Sequence, residues 1–265
     1  SEFAAALRAR ARDRVEWVDA RAADRVIVIA ANDPAALRRT LDEAASAGRP
    51  IVVVLASDRP SVDADTSLRA NALVAAWNLG PMGAKATAAV LFGDANPSGK
   101  LPLTLARSPG ELPLFHDAKP SSQLPYLFDD GKPLYAFGFG LSYTAFEVSV
   151  PKVAKARVPE GAPVAVSVEV RNTGARRGEE TVQVYVRDKV STVTTPVIRL
   201  AGFRKIALGP GEKRTVKFSI AATRLALWDG AMHHVVEPGE FEVLAGSDSA
   251  HLRGAAVTVL AKGRR

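Results

Sequence analysis

The sequence predicts two halves of different construction: an α/β unit with a mostly parallel sheet and flanking helices, followed by an all-β sandwich. Between about residues 20 and 115, continuous apolar runs alternate with helical stretches, and beyond Val148 the apolar period changes to two. Between them, Pro, Gly and aromatic residues accumulate and regular periodicity disappears.

The elements follow in order. Ser1-Glu2-Phe3 reads as a vector-derived boundary rather than a biological terminus, and Ala4 to Arg25 as an Arg/Ala-rich helical segment with few large apolar residues. Val26 to Ala30 is a continuous apolar run. Asp33 and Pro34 then open a helix reaching Ala47, Gly48 stops it, and Ile51 to Leu55 is a second run. Together they form a β-α-β unit, and runs apolar on both faces suit parallel strands covered by helices. Leu73 to Trp77 reads as a weaker strand, Pro81 to Phe92 as a helix stopped by Gly93, and Leu101 to Leu105 as a further strand. Four or five strands are few for a complete doubly wound sheet.

From Pro109 to Phe146 the chain reads as a long loop whose rings, Tyr126, Phe128, Tyr135, Phe137, Phe139, Tyr143 and Phe146, argue for burial and against disorder. Beyond it, Val164, Val166, Val168 and Val170 alternate with polar or small residues, and Val182, Val184 and Val186 alternate with Gln183 and Tyr185. Each reads as a half-buried strand. Further runs at Ile198–Ile206, Val216–Ile220, Leu225–Trp228, Phe241–Ala245 and Ala256–Leu260 are separated by turn signals such as Gly209-Pro210-Gly211. About seven short strands in this length imply an immunoglobulin-like or fibronectin type III-like sandwich. The expected division is an N-terminal helical segment at 1–20, the α/β unit at 21–118, an aromatic loop at 119–147 and the β-sandwich at 148–262.

Composition narrows the chemistry. The 265 residues contain no cysteine, which excludes a disulfide scaffold, a thiolate metal site and a cysteine nucleophile. No apolar run approaches the roughly 18 residues of a membrane span. The net charge of +7 comes from dispersed basic residues interleaved with acids, so a solvated surface is preferred over a nucleic-acid interface, although steeply salt-dependent DNA binding stands as the third reading. Nucleophile elbows, zinc-protease motifs and phosphate loops are absent, and Phe137-Gly138-Phe139-Gly140 sits in a Pro- and aromatic-rich loop, where a turn role explains its glycines. His116, His233, His234 and His251 lack paired ligand spacing, so neither metal nor cofactor is expected.

Several segments occur in a fixed order. Trp77, Gly80 and Gly83 precede Leu91-Phe92-Gly93-Asp94-Ala95-Asn96-Pro97-Ser98-Gly99-Lys100-Leu101-Pro102; then come Pro133-Leu134-Tyr135-Ala136-Phe137-Gly138-Phe139-Gly140-Leu141-Ser142-Tyr143-Thr144, Val170-Arg171-Asn172-Thr173-Gly174, Leu200-Ala201-Gly202-Phe203 and Val236-Glu237-Pro238-Gly239. Across about residues 71 to 247 this series resembles the C-terminal region of glycoside hydrolase family 3, the β-glucosidase and β-xylosidase family. Physically the motifs read as architecture: Asn96-Pro97-Ser98-Gly99 is turn chemistry, and the rings are packing groups. The sharper alternative is a sugar platform, with Tyr126, Phe128 and Tyr135 as stacking rings and Asp129 as a hydroxyl acceptor; Asp94, Asp129 and Asp130 otherwise read as solvated turn charges.

The resemblance implies a three-part enzyme: a (β/α)8 barrel bearing the nucleophile, an α/β sandwich bearing the acid/base carboxylate in many members, and a fibronectin-like domain. This chain would be a truncated α/β sandwich plus the fibronectin type III-like domain. A retaining glycosidase needs two carboxyl groups about 5 to 5.5 Å apart. The segment Ala31 to Pro50 is filled by one helix and matches no family glutamate, so no catalytic residue is carried over; Asp33, Asp42 and Glu43 read as cap and helix-surface groups. The implied partners are a β-linked oligosaccharide or glucoside and the missing barrel, with no nucleic acid and no membrane, in a periplasmic or secreted location. The chain alone is expected to be catalytically silent. The rival reading is a noncatalytic carbohydrate-binding or structural accessory protein built from the same two domains.

Overall fold

The computed structural model describes residues 2–11, 23–30, 33–59, 62–120 and 131–261. They fall into two compact units, Ser1–Ala95 with Leu105–Leu112, and Asn96–Thr104 with Pro113–Arg265.

The first unit contains α1 (Glu2–Ala11), β1 (Val26–Ala30), α2 (Pro34–Ser46), β2 (Ile51–Leu55), α3 (Ala64–Arg69), β3 (Ala72–Ala75) and α4 (Gly83–Leu91), the last entered through a 3-10 turn at Gly80–Met82. The three strands pair in the order β1-β2-β3, both pairings parallel. Local chemistry explains the crossover helix α2: the Asp33 carboxylate accepts from the Ala36 N–H at 2.9 Å, Pro34 fits the first turn without needing a donor, and Gly48 leaves the helix at φ +65°. The central strand β2 places Val53 and Val54 at 0% exposure, as its unbroken apolar run requires. Helix α1 packs on α4, burying Leu7 and Ala11, and its Arg10 pairs with Asp94 while lying 5.7 Å from the centre of the Phe92 ring.

Several elements differ from the sequence-based expectation. The strand expected at Leu73–Trp77 ends at Ala75, because the N–H groups of Ala76 and Trp77 both donate to the Leu55 carbonyl, at 3.0 and 2.8 Å, and Trp77 turns into the left-handed region at φ +47°. Leu101–Leu105 is not a strand of this sheet. Instead, the Leu101 N–H donates to the Phe139 carbonyl and its own carbonyl accepts from Gly138, each at 2.8 Å. Helix α3 carries no apolar period over its six residues, and only the Asp63 cap, accepting from the Thr66 N–H at 2.6 Å, marks its start. Of the N-terminal helical segment expected to Arg25, Glu2–Ala11 is helical and residues 12–22 lie outside the described residues.

The second unit holds β4 (Phe146–Val148), β5 (Lys152–Val153), β6 (Arg157–Pro159), β7 (Val164–Asn172), β8 (Gly178–Asp188), β9 (Arg199–Leu208), β10 (Lys213–Ile220), β11 (Leu227–Trp228), β12 (His234–Val235), β13 (Gly239–Gly246) and β14 (Leu252–Leu260). One sheet runs β10-β7-β4, with β5 also on β7; the other runs β6-β14-β13-β8-β9; β11 and β12 form a separate ribbon. The sheets enclose one core, to which the alternating valines of β7 and β8 contribute Val164, Val168, Val170, Val182 and Val184 at 0% exposure. Burying each such side chain contributes about 1.5 to 3 kcal/mol before entropy is counted. The architecture is a partial α/β sandwich followed by a fibronectin type III-like β-sandwich, as the patterning predicts.

One strand departs from the half-buried expectation. On β8 the residues between the core valines, Gln183 and Tyr185, are 3% and 0% exposed, so this strand is shielded on both faces. The cover is the loop that carries Phe137 and Gly138, held by the Gln183 side chain and by backbone bonds, among them the Ser249 N–H donating to the Phe137 carbonyl at 2.9 Å.

Candidate functional site

The motif residues of the second unit converge on that cover. Asn96 ties three points together: its Oδ1 accepts from the Ser142 hydroxyl at 2.8 Å and from the Tyr143 N–H at 2.7 Å, and its Nδ2 donates to the Arg177 carbonyl at 3.0 Å. Lys100 Nζ donates to the Gly140 carbonyl at 3.0 Å and lies 3.0 Å from Glu180 Oε1, with side-chain exposures of 12% and 6% for the ion pair. A Cβ at Gly140 would overlap the Gly99 carbonyl oxygen, so Gly99-Lys100 and Phe139-Gly140 pass each other at backbone distance. The two motifs therefore hold each other.

Below them, Gln183 Nε2 donates to the carbonyls of Gly138 at 3.1 Å and Ser247 at 2.6 Å, while its Oε1 accepts from the Tyr185 hydroxyl at 2.6 Å. Gly138 has φ +79°, and a Cβ there would overlap the Gln183 amide. His116 stacks on Phe137 with centroids 3.9 Å apart and meets Tyr185 edge-on at 6.2 Å. Asn172, 0% exposed, accepts from the Thr144 hydroxyl at 2.7 Å and the Gly174 N–H at 3.1 Å and donates to the Arg176 and Leu208 carbonyls at 2.7 and 3.1 Å. Every buried polar atom of that carboxamide thus has a partner.

The electrostatics follow from burial. Desolvation raises the Glu180 carboxyl above its ordinary range, opposed by Lys100. The Tyr185 phenol is likewise pushed up by burial, and the His116 imidazole is pushed down by desolvation against a smaller opposing effect of Asp117. These shifts belong to a structural network, since each group already has a protein partner.

The candidate sugar contacts divide into two groups. Tyr126, Phe128 and Asp129 lie outside the described residues. Tyr135 is half-buried and stacks on Phe139 with centroids 5.2 Å apart, so part of its ring already has an intramolecular partner. The carboxylates considered for chemistry have structural roles: Asp33 caps α2, Asp42 pairs with Arg69, and Asp94 pairs with Arg10. Among the described residues no three His, Asp or Glu side chains gather as metal ligands, and no helix is long and apolar enough to cross a membrane.

A cleft of about 510 Å³ opens between β4 and the β13–β14 turn, lined by Phe146, Glu147, His251 and Arg253 among others. There, His251 Nδ1 lies 3.0 Å from both carboxylate oxygens of Asp248. Sequence reasoning marked Asn172 only as part of the Val170–Gly174 motif and gave no role to Gln183 or Glu180, whose polar side chains on β8 carry no signal until the covering loop is placed.

Comparison with known proteins gives a consistent picture. Residues 10–143 match the glycosyl hydrolase family 3 C-terminal domain and residues 180–249 a fibronectin type III-like domain. A periplasmic β-glucosidase of Salmonella typhimurium is 38% identical over 231 residues, covering 83% of this chain and 30% of the relative. A xylan 1,4-β-xylosidase of Xylanibacter ruminicola is 34% identical over 217 residues, covering 82% of this chain and 25% of the relative. Among solved structures, a β-glucosidase of Erythrobacter marinus superposes with TM-score 0.85 at 32% identity, over 97% of this chain and 36% of that one. A Listeria innocua β-glucosidase in complex with glucose gives TM-score 0.85 at 26% identity, over 90% of this chain and 37% of that one. The chain thus spans about 30% of the length of the curated relatives it matches.

Proposed function

Because the chain belongs to glycosyl hydrolase family 3, we propose that it is the C-terminal portion of a retaining, exo-acting β-glycosidase that hydrolyses terminal β-linked sugars, with the nucleophile supplied by a (β/α)8 barrel outside this chain. The supporting observation is a parallel sheet of three strands among the described residues together with a β-sandwich, in a chain matching about 30% of β-glucosidase and β-xylosidase relatives.

On this reading the chain is a scaffold. Its two motif segments hold the 96–104 and 133–144 loops against the sandwich, and its Asp33, Asp42 and Asp94 carboxylates hold a helix cap and ion pairs rather than a reacting bond. A retaining mechanism requires two carboxyl groups about 5 to 5.5 Å apart flanking the scissile bond. Tyr126, Phe128, Tyr135 and Asp129 are the proposed sugar contacts of the assembled site.

The test is to assay the purified 265-residue chain with aryl β-glucoside and aryl β-xyloside, alongside an Asp129→Ala/Asp130→Ala variant that controls for contaminating activity. The expected result is no turnover. Turnover at the rate of an intact enzyme, lost in the variant, would show that the chain holds its own carboxylate pair and would overturn the partition.

A further inference from the structure

The β11–β12 ribbon has two unlike faces. Its register pairs Leu227 with Val235 and Trp228 with His234. Leu227 is 4% exposed, whereas Trp228 keeps 59% of its surface in water and His234 is exposed. Adjacent residues of a strand point to opposite sides, so the pairing that sends Leu227 inward places the indole and the imidazole together on the outside. Their ring centroids are 4.9 Å apart with planes tilted by 37°.

The turn beyond the ribbon is held rigidly. Asp229 Oδ1 accepts from the N–H groups of Ala231 at 2.9 Å and His233 at 2.8 Å. The backbone adds Asp229 N–H to the His233 carbonyl and Met232 N–H to the Asp229 carbonyl, each at 3.0 Å, and this network holds Met232 at φ +64°. A non-glycine residue in the left-handed region persists only where its surroundings enforce it, so the turn fixes the two rings instead of leaving them on a fluctuating loop.

We propose that Trp228 and His234 form a binding platform for a neutral pyranose residue of a β-linked polysaccharide. The ligand class rests on the glycosidase reading; the platform itself rests on the ribbon. An indole offers an apolar, electron-rich face to the C–H face of a sugar ring, and the nearby His234 imidazole nitrogens supply polar partners for hydroxyls at its rim. A second copy of the chain docking on the exposed Trp228 and Met232, 59% and 72% exposed, is the competing occupant and an outcome of the test.

The test uses the 265-residue chain in native gels containing soluble β-glucan or xylan, beside gels without polysaccharide, with Trp228→Ala and Trp228→Phe variants. Thermal melts and gel filtration confirm that each variant folds as the parent does. The expected result is retardation of the parent, an affinity loss of about tenfold in Trp228→Ala, and partial retention in Trp228→Phe. Equal retardation of the parent and Trp228→Ala would overturn the proposal. So would an unretarded parent, or a parent that self-associates through this ribbon and becomes monomeric on substitution. Failure of the glycosidase partition reads out separately, as turnover of aryl glycosides by the chain, and leaves the gel comparison unchanged.

Discussion

Lys100 Nζ lies 3.0 Å from Glu180 Oε1, and neither side chain keeps more than 12% of its surface in water. Removing one partner leaves the other charge buried without compensation, so Lys100→Met is expected to cost about 3 to 5 kcal/mol in urea unfolding at neutral pH. The double variant Lys100→Met/Glu180→Leu should recover most of that loss. The pH dependence has a definite sign. Burial already raises the folded Glu180 carboxyl above its reference of 4.5, and loss of Lys100 raises it further, so the folded variant binds the proton more tightly than the unfolded chain does. Its stability is therefore fullest below pH 4.5 and declines as pH rises through the folded value. A deficit that did not shrink on acidification would refute the assignment.

His116 supplies an opposite dependence. Its folded imidazole titrates below the reference of 6.5 because burial desolvates the ring, against a smaller opposing effect of Asp117. Above 6.5 both folded and unfolded forms are neutral; as pH falls below it the unfolded chain takes up the proton first, and stability is lost. The melting temperature should drop between about pH 7.5 and about pH 5.5. His116→Phe, which keeps a ring on Phe137, should flatten that slope, and identical slopes in both proteins would exclude His116 as the cause.

Asn172 distributes four hydrogen bonds at zero exposure. Asn172→Ala abandons buried partners on three segments and should cost roughly 3 kcal/mol or more by chemical denaturation. The exposed Asn78 is the control, with Asn78→Ala expected within about 0.5 kcal/mol of the parent.

Gly140 and Gly161 separate two reasons for a glycine. Gly161, at φ +81° with open space around it, should tolerate alanine at about 1 to 2 kcal/mol. A Cβ at Gly140 overlaps a backbone carbonyl that cannot swing aside, so Gly140→Ala should cost more and should also perturb near-ultraviolet signals from Tyr135 and Phe139. Equal costs at both sites would show that the 99–100 and 139–140 segments are not in contact.

Much of this was legible in the sequence wherever the signal is local. Asp33, Pro34 and Gly48 bracket α2 because cap chemistry lies within a few residues of the helix, and the valines of β7 and β8 report an inner face by simple alternation. The strands β4, β5 and β6 have only two or three residues each, too few to display a period. The outer face of β8 was misread as solvated because its cover arrives from Gly138, 45 positions away. The pairing of Trp228 with His234 depends on hairpin register, which the apolar pattern around Leu225–Trp228 does not determine. Of the candidate sugar contacts, only Tyr135 falls among the described residues, and its stacking on Phe139 was no more visible in the sequence than the cover of β8.

The double shielding of β8 also orders the motions of the sandwich. Its amides pair with β13 on one side and β9 on the other, while Val182, Val184 and Val186 lie in the core and Gln183 and Tyr185 lie beneath the loop. No fraying edge or wet face gives solvent deuterium a local route to these N–H groups. Their exchange is set by opening of the whole unit, so the slowest protons of Val182 to Val186 measure its global unfolding free energy directly. The outer strands, β4 and β6, exchange through smaller excursions that leave the clamp between Gly138 and Gln183 closed.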